Sequence, residues 1–315
     1  MVDSRVAQAE QGERSLHRWA VSLVCCTFLL ILAGGLVTSR DAGLAVPDWP
    51  LSFGTINPPG WYAIQNVRTE HGHRLIAGCV SLLAVAVALR ARRSRRPEVR
   101  RLAWAAVGTV LLQALLGGLR VLELSVDLAM VHGWLAQMFL CLAVALAVVT
   151  SPNWSDGGHY VTTPLPWLTV ATTLVVVAQL VLGILIRHAG AAARPLSNSA
   201  MFYWHVAGAT VILLAAVMMF SIAADPHVST YLRGRLRLLL GLVLAQIGLG
   251  IAAWLATEQS AVDRSPTFIE SWVPTLHVGV GAAVLACSVA VALHAFGRGR
   301  VHAPGALQAR TAEAH

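Results

Sequence analysis

The stretch that decides the fold is Glu70-His71-Gly72-His73-Arg74, which is followed by an apolar run from Leu75 to Leu89. A carboxylate, two imidazoles and a guanidinium therefore lie at the start of a predicted membrane-spanning helix. Ionisable groups are costly at membrane depth, so their presence there indicates a functional site. Glu70 and His73 are one helical turn apart on one face, whereas His71 and His73 point to roughly opposite sides.

The composition indicates the same class of protein. Of the 315 residues, 57% are hydrophobic and 12% are charged, whereas a typical globular domain has about 25% charged residues. This balance fits a polytopic membrane protein. The net charge is +8, and every basic residue is an arginine. The arginines cluster between apolar runs, which is a topology signal of membrane proteins and argues against nucleic-acid binding.

Eight apolar runs are long enough to span a membrane, and they predict an all-α membrane protein with eight transmembrane helices. The runs cover residues 19–38, 71–89, 102–122, 128–150, 166–186, 201–223, 236–256 and 272–296. We expect two four-helix bundles, residues 19–150 and 166–296, joined by a flexible linker at 151–165. The remaining predicted segments are an N-terminal tail at 1–18, a long outer loop at 39–69 and a C-terminal tail at 297–315.

The distribution of arginines predicts the orientation. Loops 90–101 and 233–237 are rich in arginine, as is the start of the C-terminal tail, whereas the loops on the other side are poor. The positive-inside rule then places both termini in the cytoplasm. We expect a multi-pass protein of the cell inner (plasma) membrane.

The two halves resemble each other in sequence. Gln113-Ala-Leu-Leu-Gly-Gly118 in the third helix is similar to Gln246-Ile-Gly-Leu-Gly250 in the seventh, and each even-numbered helix has a histidine near its start. This pattern predicts pseudo-duplicated bundles arranged as parallel repeats. The alternative is coincidence among small-residue faces, which membrane helices favour in any case.

Four histidines recur within the first turn or two of the even-numbered helices: His73, His132, His205 and His277. Any one of them alone is more often a hydrogen-bonded interfacial side chain than a metal ligand. Four at one predicted depth, two in each half, favour paired ligands instead. Two imidazoles facing each other across a bundle are what a six-coordinate haem iron needs. Copper or zinc is disfavoured because no third ligand repeats with the histidines.

Haem propionates would need cations near the outer face. Arg40, Arg74, Arg120 and Arg187 are candidates, and all but Arg74 end odd-numbered helices on that side. The alternative role for each is interfacial anchoring by snorkelling.

The halves differ in one acidic residue. Glu70 precedes the first histidine of its half by three positions, whereas Phe202 and Pro274 hold that position in the second half. A carboxylate at one site alone predicts one chemical site and one electron-transfer site. The alternative is that Glu70 is a helix-capping acid favoured by the helix dipole.

With these motifs in place, the chain resembles the haem A synthase family over roughly residues 19–296. The resemblance rests on three stretches, with the three later histidines in register. They are Gly34-Gly35-Leu36-Val37-Thr38, Ala42-Gly43-Leu44-Ala45-Val46-Pro47-Asp48-Trp49-Pro50 and Glu70-His71-Gly72-His73-Arg74. The resemblance implies an eight-helix, pseudo-duplicated membrane enzyme. Such an enzyme oxidises the C8 methyl of haem O to a formyl group, with water as oxygen source, and makes haem A for terminal oxidases.

The resemblance also implies roles for particular residues. His73 and His132 correspond to ligands of the substrate haem, and Glu70 corresponds to an essential acid beside it. His205 and His277 correspond to ligands of a haem B cofactor. Haem O synthase and a terminal oxidase are the implied protein partners, while the electron acceptor and homo-oligomerisation stay open. The family's outer loop often carries a cysteine pair that this loop lacks, which puts any thiol–disulfide role in doubt.

Two other classes of protein compete with this interpretation. A dihaem electron-transfer cytochrome b explains four histidines but neither the one-sided Glu70 nor the long outer loop. A transporter or haem-handling protein explains the repeats but not four matched ligands.

Overall fold

The structure, a computed structural model, describes residues 2–155, 164–189, 196–226, 228–258 and 264–296. Within these ranges every long element is an α-helix, and eight helices are long and apolar enough to cross a membrane. The helices are α1 (Val2–Ser39), α2 (Gln65–Ala91), α3 (Pro97–Leu122), α4 (Val126–Thr150), α5 (Pro164–His188), α6 (Ala200–Ile222), α7 (Thr230–Glu258) and α8 (Phe268–Phe296). The predicted all-α class with eight membrane-spanning helices is confirmed.

Several helices extend beyond their apolar runs. The predicted tail at 1–18 is helical from Val2, and the last residues of the predicted outer loop form the first turn of α2, so that the loop itself is 40–64. Arginine, glutamate and glutamine are good helix formers, so a helix continues where hydropathy stops. The extension of α1 is packed, since Leu16 is buried and the Arg90 guanidinium donates to Ser15 Oγ at 2.7 Å.

Two predicted connections are described only in part or not at all. Residues Pro152–Ser155 of the predicted linker form one helical turn, and 156–163 lie outside the described residues. The predicted tail at 297–315 lies outside them as well.

Each half closes into a ring of four helices. In the first half, α1 packs against both α2 and α4, and α3 lies between α2 and α4. In the second half, α5 packs against both α6 and α8, and α7 lies between α6 and α8. Leu23 and Phe139 belong to the core of the first ring, Leu232 and Leu285 to that of the second, and Leu140 to a third cluster between the rings. Duplication itself stays a prediction.

The halves meet closely where α1 crosses α8. A Cβ on Gly35 would lie 3.4 Å from Thr275 Cγ2, and Ser39 Oγ lies 2.9 Å from Thr275 Oγ1. The Arg187 guanidinium of α5 donates to the Gly35 carbonyl at 3.0 Å and to Ser39 Oγ at 2.6 Å. Small residues let membrane helices approach in this way, and polar side chains join them. The end of the molecule at which the even-numbered helices begin is called the histidine end below.

Candidate functional site

Each predicted ligand histidine packs on a glycine of the preceding helix. A Cβ built on the glycine would meet the imidazole Cε1 at 2.9–3.4 Å in all four cases. Hydrogen is therefore the only substituent that fits without a shift of the ring at the three tightest contacts. The pairs are Gly34 with His73 (3.1 Å), Gly117 with His132 (2.9 Å), Gly183 with His205 (3.4 Å) and Gly250 with His277 (3.0 Å).

Three of these glycines have a glutamine four residues earlier, on the same helix face. Gln113 Nε2 donates to the His132 carbonyl at 2.8 Å, and Gln179 Nε2 donates to the His205 carbonyl at 2.9 Å. Gln246 Nε2 lies 3.3 Å from His277 Nε2. These glutamines are site residues that sequence reasoning missed. The recurring spacing Gln-x-x-x-Gly in α3, α5 and α7 is the signal that could have found them.

The two histidines of the second half face each other. The ring centroids of His205 and His277 are 6.3 Å apart, with an angle of 67° between the planes. A metal ion with bonds of about 2 Å to two imidazole nitrogens holds the ring centroids roughly 6 Å apart. The spacing in the second half therefore suits one iron between two imidazoles.

The imidazoles keep hydrogen-bonding capacity that the protein does not use. Among the described residues, the buried Nδ1 atoms of His73, His205 and His277 have no partner. His132 Nδ1 lies 3.1 Å from the Gln113 carbonyl, so this Nδ1–H donates and Nε2 keeps its lone pair for a metal. Over the same described ranges, no three His, Cys, Asp or Glu side chains converge as a closed metal site would need. Two imidazoles, each packed on a glycine, fit a haem, which needs two ligands for its iron and a flat space for its ring. The four glycines Gly34, Gly117, Gly183 and Gly250 are called the glycine seats below.

Glu70 lies in the second turn of α2 and is 3% exposed. Its Oε1 forms an ion pair with the Arg74 guanidinium at 2.7 Å, and its Oε2 accepts the Val46 N–H at 2.9 Å. Because α2 begins at Gln65, the alternative that Glu70 caps the helix is wrong. Its carboxylate instead joins α2 to the outer loop.

The outer loop is tied down over this end of the first bundle. Besides its ion pair, Arg74 donates to three loop carbonyls, those of Val46 (3.0 Å), Asp48 (2.6 Å) and Leu51 (3.0 Å). The Trp49 ring packs directly on Gly118 of α3, where any Cβ would clash with it. The loop is therefore a fixed cover on the first bundle.

All four candidate propionate-binding arginines lie at the histidine end. Arg120 donates to the Gly43 carbonyl at 2.5 Å, and Arg40 donates to Thr69 Oγ1 at 3.1 Å. Arg74 and Arg187 make the contacts given above, and the buried Arg40 Nε has no partner among the described residues. Most of these contacts are to neutral oxygens, so the cations keep charge that an anionic ligand could use.

Asp48 organises the tip of the loop. Its carboxylate accepts the N–H groups of Phe53 (2.7 Å) and Gly54 (2.8 Å). The Gly54 N–H is the largest cause that holds the pKa of Asp48 below its usual value of 3.8, and the Arg74 charge adds to it. Phe53 and Gly54 both have positive φ, 50° and 75°, so the carboxylate stabilises a turn that is unfavourable at a phenylalanine.

Comparison with known proteins gives a family match for the N-terminal half of the chain. Residues 2–146 match the family model described as "Cytochrome oxidase assembly protein". This match shows that the N-terminal half of the chain is similar to this family. The match includes α1, α2, α3, the outer loop and most of α4, and therefore His73, His132 and Glu70.

Curated relatives give the same picture. A protein named "Heme A synthase" from Caulobacter sp. (strain K31) is 36% identical over 164 residues, which cover 49% of this chain and 46% of the relative. Proteins of the same name from Methylobacterium sp. (strain 4-46) and Symbiobacterium thermophilum are 38% identical over 148 residues and 34% identical over 141 residues. These two matches cover 42% and 44% of this chain, and 41% and 45% of the relatives. The matched region thus spans about half the length of these relatives.

Proposed function

We propose that the protein is a membrane haem A synthase, which oxidises the C8 methyl of haem O to a formyl group. The observation that carries the proposal is the pair of similar histidine sites, of which only the first, among the described residues, has a buried carboxylate one helical turn before its histidine. The name of the relatives supports it, and so does the family match over the half that contains Glu70.

The substrate haem would lie between His73 and His132, and a haem B cofactor between His205 and His277. When bound, haem B would supply one-electron redox chemistry. The chain's own residues hold the ligands: glycine seats set the ring positions, and Gln113 fixes His132 through its main-chain carbonyl and its side-chain amide. Gln246 lies on His277 Nε2, so ligation through that nitrogen requires this amide to turn away.

The chemistry needs two rounds of two-electron oxidation. In the first, the substrate methyl loses two electrons and two protons overall as water adds to give a hydroxymethyl group. In the second, another water adds and a gem-diol forms, which loses water to give the aldehyde. Glu70 would stabilise the positive charge that develops on the methyl carbon and would accept a released proton. To accept the proton, its carboxylate must move away from the Arg74 guanidinium. The charge of a carboxylate stabilises a developing positive charge more strongly at low dielectric, and the outer loop would exclude water from this site.

The closeness of the halves supports electron transfer between the two sites. Gly34 seats His73, and its neighbour Gly35 packs on Thr275, two residues before His277. We propose that electrons leave the substrate site along this contact toward the second site and an acceptor that lies beyond it.

The remaining expectations are part of the proposal. The four arginines would pair with haem propionates, and both termini would lie in the cytoplasm of a cell whose plasma membrane holds the protein. The partners would be haem O synthase and a terminal oxidase. Duplication of a four-helix unit is supported by the similar rings and by the repeated histidine–glycine pairs.

The deciding experiment is Glu70→Gln in a host that makes haem O, with chromatography of the extracted haems. Glutamine keeps an acceptor for the Val46 N–H but has no charge, so we expect haem O or a hydroxylated intermediate to accumulate while haem stays bound. The matched control is Glu123→Gln, which changes an exposed carboxylate at the same end and should leave haem A unchanged. Wild-type haem A from Glu70→Gln would overturn the catalytic role.

The same measurement separates the competing class of protein. Haem B alone, at two per wild-type chain, would identify a dihaem electron carrier in which Glu70 only holds the outer loop. A pyridine haemochrome spectrum gives this ratio directly. Absence of any haem would favour a transporter.

A further inference from the structure

One face of α2 points away from the bundle. Leu75, Leu82 and Leu89 lie seven residues apart on this face and are 39%, 74% and 49% exposed. The main packing partners of α2 are α1 and α3, so this face lies on the perimeter of the molecule. In a membrane it would contact lipid.

His71 belongs to the same face, because it lies four residues before Leu75, yet it is only 2% exposed. Two residues of the outer loop cover it. Ser52 Oγ lies 2.9 Å from His71 Nδ1, and the Trp61 ring lies against the imidazole with centroids 4.8 Å apart. The loop between Ser52 and Trp61 therefore wraps around the lipid-facing side of α2 rather than standing above the centre of the bundle.

The chemistry of this part of the loop suits a lipid environment. No charged residue occurs between Asp48 and Arg68, a stretch that contains two tryptophans and a tyrosine. Phe53 is 50% exposed and Ile56 79% exposed, and Tyr62 and Ile64 are 65% and 62% exposed. Aromatic and apolar side chains without charge are typical of segments in the interfacial layer of a bilayer.

The turn that presents Phe53 is preorganised. Ser52 and Thr55 exchange two backbone hydrogen bonds, at 2.8 and 3.1 Å, and the Asp48 carboxylate holds the amides of Phe53 and Gly54. A phenylalanine held with positive φ and half exposed has no role in the core of this chain. Its ring is exposed in the way that a side chain inserted into a membrane is.

We propose that residues 51–64 lie in the interfacial layer of the bilayer, with Phe53 and Ile56 inserted among the lipids. The occupant of this surface is lipid rather than a protein partner, because the surface continues the lipid-facing stripe of α2. The segment thus seals the perimeter of the first bundle at the depth of the Glu70 turn. This inference depends only on the helices spanning a membrane, and it stands whether or not the protein makes haem A.

Spin labelling in nanodiscs of phosphatidylcholine and phosphatidylglycerol tests the proposal. Single labels are placed through Phe53→Cys and Ile56→Cys in a chain whose five native cysteines are replaced by serine or alanine. Glu123→Cys is the water-side control and Leu82→Cys the lipid-side control. We expect labels at positions 53 and 56 to collide with a water-soluble nickel chelate at least about fivefold less than the label at 123, and with oxygen more often.

Chelate accessibility at positions 53 and 56 equal to that at 123 would overturn the proposal and leave the surface free for a protein. A second measurement avoids cysteine replacement. Benzoylphenylalanine is incorporated at position 53 or 56 of the otherwise unchanged chain and irradiated in the native membrane. Adducts of lipid mass support the proposal, whereas adducts of protein mass alone contradict it.

Discussion

The two halves hold their histidines in the same way but surround them differently. In the first half, the site lies beside a buried carboxylate, Glu70, and below a loop that Arg74 ties down. In the second half, the position equivalent to Glu70 before His205 is Phe202, which packs on Trp254, and a glutamine amide contacts His277. The comparison teaches that helix register places the histidines, whereas one carboxylate and its cover distinguish the proposed chemical site from the proposed electron-transfer site.

Removing a proposed ligand from each half in turn should have the largest effect. We expect His277→Ala to lower bound haem B at least about tenfold, because a residue that holds the iron directly would contribute more than its supporting partners. His132→Ala should keep haem B and lose haem O and haem A. The measurement is haem content per purified chain, with circular dichroism as the control for folding. Equal loss of all haems in both well-folded variants would mean that the halves are not separate sites.

Releasing the outer loop from α2 should have the next largest effect. Arg74→Gln leaves Glu70, whose side chain is 4% exposed, without its ion pair and releases three loop carbonyls. Breaking a buried pair costs about 3 kcal/mol, so we expect the Val46 amide to exchange hydrogen roughly 100-fold faster. Mass-spectrometric hydrogen exchange on peptides from the loop measures this change.

The control for that prediction is Arg264→Gln in the second half. Arg264 pairs with Glu270 in a well-aligned geometry, with contacts of 2.8 and 2.7 Å. The Glu270 side chain is 10% exposed, but the Arg264 side chain is 45% exposed, against 17% for Arg74. Exposed pairs contribute little because water screens them. Comparable loosening around Arg264 and Arg74 would show that burial of Glu70 has no special importance for the cover.

Filling the glycine seats should have graded effects. Gly117→Ala would place a methyl 2.9 Å from the His132 ring, whereas Gly183→Ala would place one 3.4 Å from His205, an ordinary contact. Overpacking costs about 1–3 kcal/mol, so we expect Gly117→Ala to weaken retention of the substrate haem about tenfold and Gly183→Ala to have little effect on haem B. Haem retention during dilution in detergent measures both. The reverse order would mean that the seats do not position the rings.

The sequence predicts the number and class of the helices well, because a 20-residue apolar run in a chain of this composition has few alternatives. It predicts the ends of the helices poorly. α1 begins at Val2 and α2 at Gln65 because polar residues continue a helix that hydropathy no longer marks.

The site was predictable in part for a similar physical reason. His73, His132, His205 and His277 share a register, and residue spacing carries register directly. The contact of Glu70 with Val46, and of His71 with Ser52 and Trp61, depends on how the loop folds back on α2. A loop of mixed Pro, Gly and Trp has no period from which that path follows.

The smallest expected effect concerns the turn of the outer loop, which has no equivalent among the described residues of the second half. The lowered pKa of Asp48 means that its stabilisation of the turn is complete above 3.8, the usual value, and is lost as the pH falls through the lower value of the folded state. We expect exchange protection at Phe53 and Gly54, corrected for intrinsic rates, to be constant from about pH 7 to 5 and to decline below about pH 4. Asp48→Asn should show weaker protection with no such acid decline, since asparagine does not titrate. Parallel acid loss in both proteins would instead assign the decline to carboxylates other than Asp48.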